Sequence, residues 1–372
     1  SAAVMVWLAA TPALAEEVVE VWRSPFGTGR SVSVSSIGGS CWAVTGARVM
    51  HVGADGTILG QHSGFERPEE VSVNSMDGSC WVRDALTEGH LIVHLACDGT
   101  ELLRVGGFDE VSALSVNSAD GSCWVGHSYD DEGGRRHEVL HLAPDGSELA
   151  RVGGFHRVDA LSVSPADGSC WVGHSLVDSS PWHWQAEGEV VRLAEDGTEL
   201  MRVGGFQQVG SLSVNTADGS CWAADWNFFP GLFPAQPKAV ILPSWSTIYV
   251  RLAADGAELW RSQSRDRGKY NLSVNVADGS WWAADSQYHQ VVHFAADGTE
   301  LWRLTNPDDG PRLLSSPLSI SVNATDGSCW VANGAAERQV LHLAADGTEL
   351  WSGGGLLARP RSASVDPGDG SC

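Results

Sequence analysis

The feature that most constrains this chain is a copied unit. The stretch SVNSADGSCWVGHS, residues 115–128, returns as SVSPADGSCWVGHS from Ser162, SVNTADGSCWAADW from Ser213 and SVNATDGSCWVAN from Ser321. Its cysteine, or the residue replacing it, falls at Cys41, Cys80, Cys123, Cys170, Cys221, Trp281, Cys329 and Cys372, at intervals of 39, 43, 47, 51, 60, 48 and 43 residues. Between these lies a second unit, VLHLAPDGSELARVGGF in its full form and VVHFAADGTELWR or VLHLAADGTELW in shorter ones. Self-similarity at this period marks an array of supersecondary units that bury their faces against one another. The chain holds seven complete copies.

Each copy has four short segments of alternating or β-branched character: strand a (LSVN), strand b (SCWVA), strand c (VLHLA) and strand d (TELWRV). The a–b and c–d joints read Asp-Gly or a near relative, the strongest short hairpin signal, because tight turns matching strand twist need positive φ. No segment has a helical period. Four antiparallel strands per repeat predict an all-β chain built of β-propeller blades.

The stretch LSVNSADGSCWVGHS…EVLHLAPDGSELARVGGF resembles the NHL-type blade, and the resemblance covers nearly the whole chain. It implies architecture and leaves function open, since such propellers include binders, scaffolds, lyases and lactonases.

The ends bear on the blade count. SASVDPGDGSC supplies a strand a, its turn and the start of a strand b, while AVMVWLAA aligns with strand c and EVVEVWRSPF with strand d. One propeller domain over 1–372 is expected: 1–30 as strands c and d of a closing blade, 31–360 as seven complete blades, 361–372 as strands a and b of the closing blade. That makes eight blades, and closure within the chain leaves no open edge. The same halves pairing between molecules would give a filament. Residues 1–15 also read as a secretory signal, an apolar run with an A-x-A-like site before Glu16 but no basic start. On that alternative the count is seven, and the chain is secreted or on the cell surface.

Composition narrows the partners. A formal charge of −23, with only two lysines, argues against nucleic acid and anionic membranes, which need clustered Lys and Arg. No apolar run is long enough to span a bilayer. Eight cysteines in 372 residues are too few for a disulfide scaffold, and no CxxC or Cys/His zinc spacing occurs.

Alternation along SCWVA points the cysteine and the tryptophan to opposite faces of a blade, where both pack against neighbouring blades. The copy with Trp281 lacks the thiol, so packing is the expected role. Ser33, Ser72, Ser115, Ser162, Ser213, Ser273 and Ser321 share one register in strand a, near the axis. The strand c position alternates between His51, His94, His141, His293, His342 and Arg192, Arg251, which suits inter-blade hydrogen bonding better than a metal. Residues closing strand b form a polar ring, Thr45, Asp84, His127, His174, Asp225, Asp285 and Asn333. By resemblance to NHL-type blades, an Asp there ties down the b–c loop through backbone bonds. The sharper alternative is a ligand or cation, with His127, His174, Asp225 and Asp285 as metal candidates. Weak Ca²⁺ binding at the turn aspartates is a further alternative, although each Asp is already explained by its turn.

In a four-stranded meander, b–c and d–a connections emerge on one face, and that face carries the insertions. The b–c connection grows from SYDDEGGRRHE to SLVDSSPWHWQAEGE to WNFFPGLFPAQPKAVILPSWST in three consecutive blades. Trp182, His183, Trp184, Trp226, Phe228, Phe229, Phe233 and Trp245 concentrate there, as binding surfaces do. The expectation is a non-enzymatic, extracytoplasmic binding or scaffold propeller whose loop face engages a protein, peptide or glycan, without a required cofactor. The alternative is a metal-dependent lyase or lactonase, resembling virginiamycin B lyase and gluconolactonase at blade level. Against it, no Glu stands at the matching positions.

Overall fold

Turn chemistry starts each blade. In the computed structural model, Asn117 Oδ1 accepts the Ala119 amide and Asp120 Oδ1 accepts the Ser122 amide. The same pair of side-chain turns recurs at Asn74/Asp77, Asn215/Asp218, Asn275/Asp278 and Asn323/Asp326. The glycine following each Asp has φ between +69° and +78°, a conformation that only glycine adopts without strain. The c–d turns use Asp and Gly likewise, with Asp98 accepting the Thr100 amide and Gly99 at φ +83°.

The structure describes residues 6–9, 19–23, 29–35, 39–177, 186–231, 242–262, 266–267, 270–286, 289–306, 314, 316–334, 339–353, 362–365 and 372. These turns join seven four-stranded antiparallel sheets, each in the order a-b-c-d: blade 1 (29–62), blade 2 (68–108), blade 3 (110–152), blade 4 (157–206), blade 5 (209–261), blade 6 (270–305) and blade 7 (317–353). In blade 5 a short strand, Asp266–Arg267, continues the outer edge by pairing with strand c.

The expectation of eight blades is corrected to seven. Val6–Ala9 and Val19–Arg23 pair with each other, as strands c and d would, but form a separate two-stranded sheet. Among the described residues no strand links that pair to the C-terminal segment, so no eighth four-stranded sheet is assembled. Residues 362–365 belong to no sheet and lie between blades 7 and 1. There Ala363 and Val365 donate backbone amides to Ser319 and Ser321 of blade 7, while Val34 of blade 1 donates to Ser364.

Those bonds continue a device that runs round the axis. The strand a serine of one blade accepts the amide of the valine one residue further along in the next, as in Val73 to Ser33, Val163 to Ser115, Val214 to Ser162 and Val322 to Ser273, at 3.2–3.3 Å. Neighbouring blades meet chiefly through these first strands, which places strand a innermost. Each bond contributes about 1 kcal/mol and fixes the mutual height of two blades.

The core lies between blades rather than inside one. Each strand b tryptophan of one blade packs with the cysteine of the next, Trp42 with Cys80, Trp81 with Cys123, Trp124 with Cys170 and Trp171 with Cys221. All of these side chains are fully buried. Where Trp281 replaces the cysteine, Trp222, Tyr249 and Phe294 surround it with ring centroids 4.1–4.7 Å away.

Candidate functional site

The strand b ends, expected as a polar ring, are all buried. Asp84 accepts the amides of Glu66 and Arg67, and Asp225 those of Gln207 and Gln208. Asn333 accepts the Ser316 amide, and Asp285 accepts from Gln290 Nε2. The donors to Asp84, Asp225 and Asn333 belong to the connection entering strand a, so these residues secure the d–a connection, whereas the Asp285 bond spans the b–c connection. Burial raises the carboxyl pKa of Asp84 and Asp225, and the bonds from the backbone pull it back.

The two histidines of the ring behave differently. His174 Nδ1 lies 3.4 Å from the His156 amide, with Nε2 3.3 Å from Glu189 and from Arg202 Nη1. Burial lowers its pKa to about 4, so the ring is neutral near pH 7. His127 packs edge-on against Phe108, at 5.1 Å, and neither of its ring nitrogens makes a hydrogen bond among the described residues. Glu138 stands 3.7 Å from it. Thr45 Oγ1 likewise has no partner there. The ring members occupy different blades, and no group of three or more His, Cys, Asp or Glu is placed to hold a metal among the described residues.

Strand c explains why His and Arg interchange. His94, His141 and His293 donate from Nδ1 to the turn carbonyls of Pro144, Glu195 and Ala345 in the following blade, at 2.8–2.9 Å. Arg192 and Arg251 donate to Ala254 and Ala296 in the same way. Each also covers its own blade's tryptophan, as with His141 stacked on Trp124 at 4.2 Å and Arg192 over Trp171 at 5.6 Å. The position is inter-blade structure.

The strand b cysteines carry no activated thiol. Among the described residues all eight are free. Burial raises Cys41 to about 12 and moves Cys80, Cys123, Cys170, Cys221 and Cys329 upward as well. A reactive thiol needs the opposite shift. Cys372 is also raised to about 12, and it packs with Trp330 and Val365.

On the insert-bearing face, connections expected as loops are largely lengthened hairpins. In blade 3, strands Cys123–Asp131 and Gly134–Leu142 stay paired out to Asp131 and Gly134. In blade 5, Cys221–Gly231 pairs with Leu242–Leu252, bringing the backbones of Phe228 and Trp245 opposite each other. Trp226 is half-buried against the cluster between blades 5 and 6, its indole filling the space a side chain at Gly210 would occupy. Trp182, His183, Trp184 and Phe233, and the side chains of Phe228, Phe229 and Trp245, lie outside the described residues.

Sequence reasoning missed the cavity beside these hairpins. A space of about 490 Å³ opens between blades 3 and 4, lined by Arg135, Arg136, His137, Phe155, His156 and Arg157, among others. Gly153 and Gly154 also line it, with Gly154 at φ +86°. Arg135 meets Glu110 at 2.7 Å, Arg136 meets Asp131 at 2.9 Å and Arg157 meets Asp159 at 2.5 Å. Burial and the neighbouring cations lower the pKa of His137. A second cavity of about 360 Å³ lies between blades 2 and 3 beside Gly106, Gly107, His127 and Tyr129. The signal was present: GGRRHE is among the few cation-dense runs in the chain, and RVGGF marks the strand d that borders each cavity.

No family model and no curated protein sequence matches the chain. Solved structures do. The chain is similar to the C-terminal WD40 domain of Sif2 (TM-score 0.63, 8% identity, covering 99% of this chain and 93% of that one). It is also similar to U3-55K (TM-score 0.56, 10% identity, 90% and 93% covered) and to Sqt1 of Saccharomyces cerevisiae (0.56, 11%, 89% and 86%). The fold shared with them is the β-propeller. At these identities the likeness concerns fold alone, and the NHL resemblance of the blades finds no match of its own.

Proposed function

We propose that the chain is a non-enzymatic binding or scaffold propeller, acting outside the cytoplasm, that engages a polypeptide partner on the face bearing the long hairpins. The reading rests on the cavity between blades 3 and 4, where guanidinium, imidazole and phenyl groups converge beside a two-glycine opening. Arg and aromatic groups on a rigid scaffold are what polypeptide interfaces favour.

The test is selection of peptides from a displayed library on the whole chain, alongside a glycan array. Peptide binders that weaken about tenfold on Arg157→Ala or Arg135→Ala, roughly 1.4 kcal/mol, support the reading. Glycans dependent on the same arginines would replace the polypeptide by a glycan. Binders indifferent to both substitutions would remove this face from consideration.

A second reading, self-assembly by exchange of terminal strands, is favoured by one observation. Among the described residues, the hairpin Val6–Ala9 with Val19–Arg23 pairs with no other sheet. Fibres in electron micrographs that vanish on deletion of residues 363–372 would support it, and monomers at all concentrations would end it.

A further inference from the structure

One residue of strand d breaks the register in all seven blades. Glu101 pairs with Leu95 and Leu103 with His94, which leaves Leu102 as the extra residue of a β-bulge. The same shift leaves out Leu59, Leu149, Leu200, Leu259, Leu301 and Leu350. Strand d is the free outer edge of each sheet, so every blade presents one leucine outward beside its c–d turn. These leucines are 41–56% exposed.

A single exposed leucine needs no explanation. Seven at the same edge position do, because free edges are normally blunted with charged side chains, which discourage unwanted strand pairing. The strand itself accepts charge: Arg104, Arg151, Arg202, Arg261 and Arg303 stand two residues further on, each paired with the Glu that precedes the leucine. The surroundings are acidic. The adjacent face holds seven c–d and six a–b turn aspartates and Glu195, against Arg192 and Arg251. Backbone and hydroxyl bonds hold Asp55, Asp98, Asp145, Asp196, Asp297 and Asp346 below the usual carboxyl range, so they stay ionised.

We propose that this leucine-studded, acidic rim is a docking surface for a basic polypeptide that brings apolar side chains between its Lys and Arg residues. Charge complementarity selects such a partner over a second copy of this chain, which would add its own −23. Equivalent sites on successive blades let one partner engage several leucines, so weak contacts combine. The rim lies on the opposite side of the blades from the hairpin-bearing face and does not depend on a partner there.

The experiment uses the whole chain with Leu102→Ser, Leu149→Ser and Leu200→Ser combined. Because these side chains are half exposed, circular dichroism and Tm should match the parent. Probes are a fluorescent amphipathic peptide of Lys-Leu-Leu-Lys repeats, its Lys-Ser-Ser-Lys counterpart and a Glu-Leu-Leu-Glu version. The expected result is binding of the first alone, weakened at least tenfold by the triple substitution and by raising salt from 50 to 500 mM. Equal binding of the Ser counterpart, or no effect of the triple substitution, would reduce the rim to a diffuse acidic field and overturn the proposal. Equal binding of the acidic peptide would overturn the charge selection. Self-association in sedimentation that disappears in the triple variant would assign the leucines to a second copy instead.

Discussion

Cysteine and tryptophan in GSCW look equally suspicious in sequence and differ sharply in energetic weight. Trp171 is fully buried between blades 4 and 5, whereas Cys170 is a small filler of the preceding interface. Trp171→Ala should cost about 3–5 kcal/mol, and Cys170→Ala about 1 kcal/mol, measured by urea unfolding. A larger loss for the cysteine would contradict its role as a packing residue. The strand c histidines set a pH dependence. Burial lowers the pKa of His94, His141 and His293, and takes His342 to about 4. Unfolded imidazoles take up protons near pH 6.5, while the folded ones resist, that of His342 until about pH 4. Stability should therefore be level above pH 7 and fall as pH drops through that window, by on the order of 3 kcal/mol for His342 alone. His342→Gln should flatten the slope in a Tm-versus-pH series.

At the scale of the element, the glycines of the turns and of RVGGF make two kinds of demand. Gly107 has φ +93° and open space where a Cβ would stand, so Gly107→Ala should cost only the left-handed backbone term, roughly 1–2 kcal/mol. Gly347 has φ +83°, and a Cβ there would come within 2.0 Å of the Trp302 ring of the preceding blade. Gly347→Ala should thus be clearly more destabilising than Gly107→Ala in parallel thermal melts. Equal losses would mean that Trp302 swings aside freely. The strands, the hairpins and their alternation were legible because tight turns and period 2 are local properties. The edge bulge was not, since LAADGTEL reads as an uninterrupted strand–turn–strand. Only the pairing register shows that the leucine lacks a cross-strand partner.

At the scale of the whole molecule, the ring is closed by a segment rather than by a blade. Residues 362–365 link Ser319 and Ser321 to Val34, and Cys372 packs with Trp330. Deleting residues 362–372 should lower Tm by several degrees without changing the far-UV spectrum much, because three hydrogen bonds and a buried contact are lost while seven sheets remain. An unchanged Tm would show that blades 7 and 1 need no clasp. The candidate site was partly legible at this scale. The repeat put the insertions of blades 3 and 5 in the b–c connection, where the strands prove lengthened and paired, but their side-chain cavity depends on which strands lengthen and where RVGGF turns away.

What the sequence determined by itself was everything local and repeated: seven copies, four strands each, their turns, and the alternation that sends Cys and Trp to opposite faces. Local rules suffice there because hairpin geometry and side-chain period act within a few residues. The tertiary structure alone decided the blade count, the partner of each strand b carboxylate, and which residues gather at the cavity between blades 3 and 4. Each of these joins positions far apart in the chain. A terminal strand can pair in more than one way, and a carboxylate takes whichever amides the neighbouring connection brings within reach.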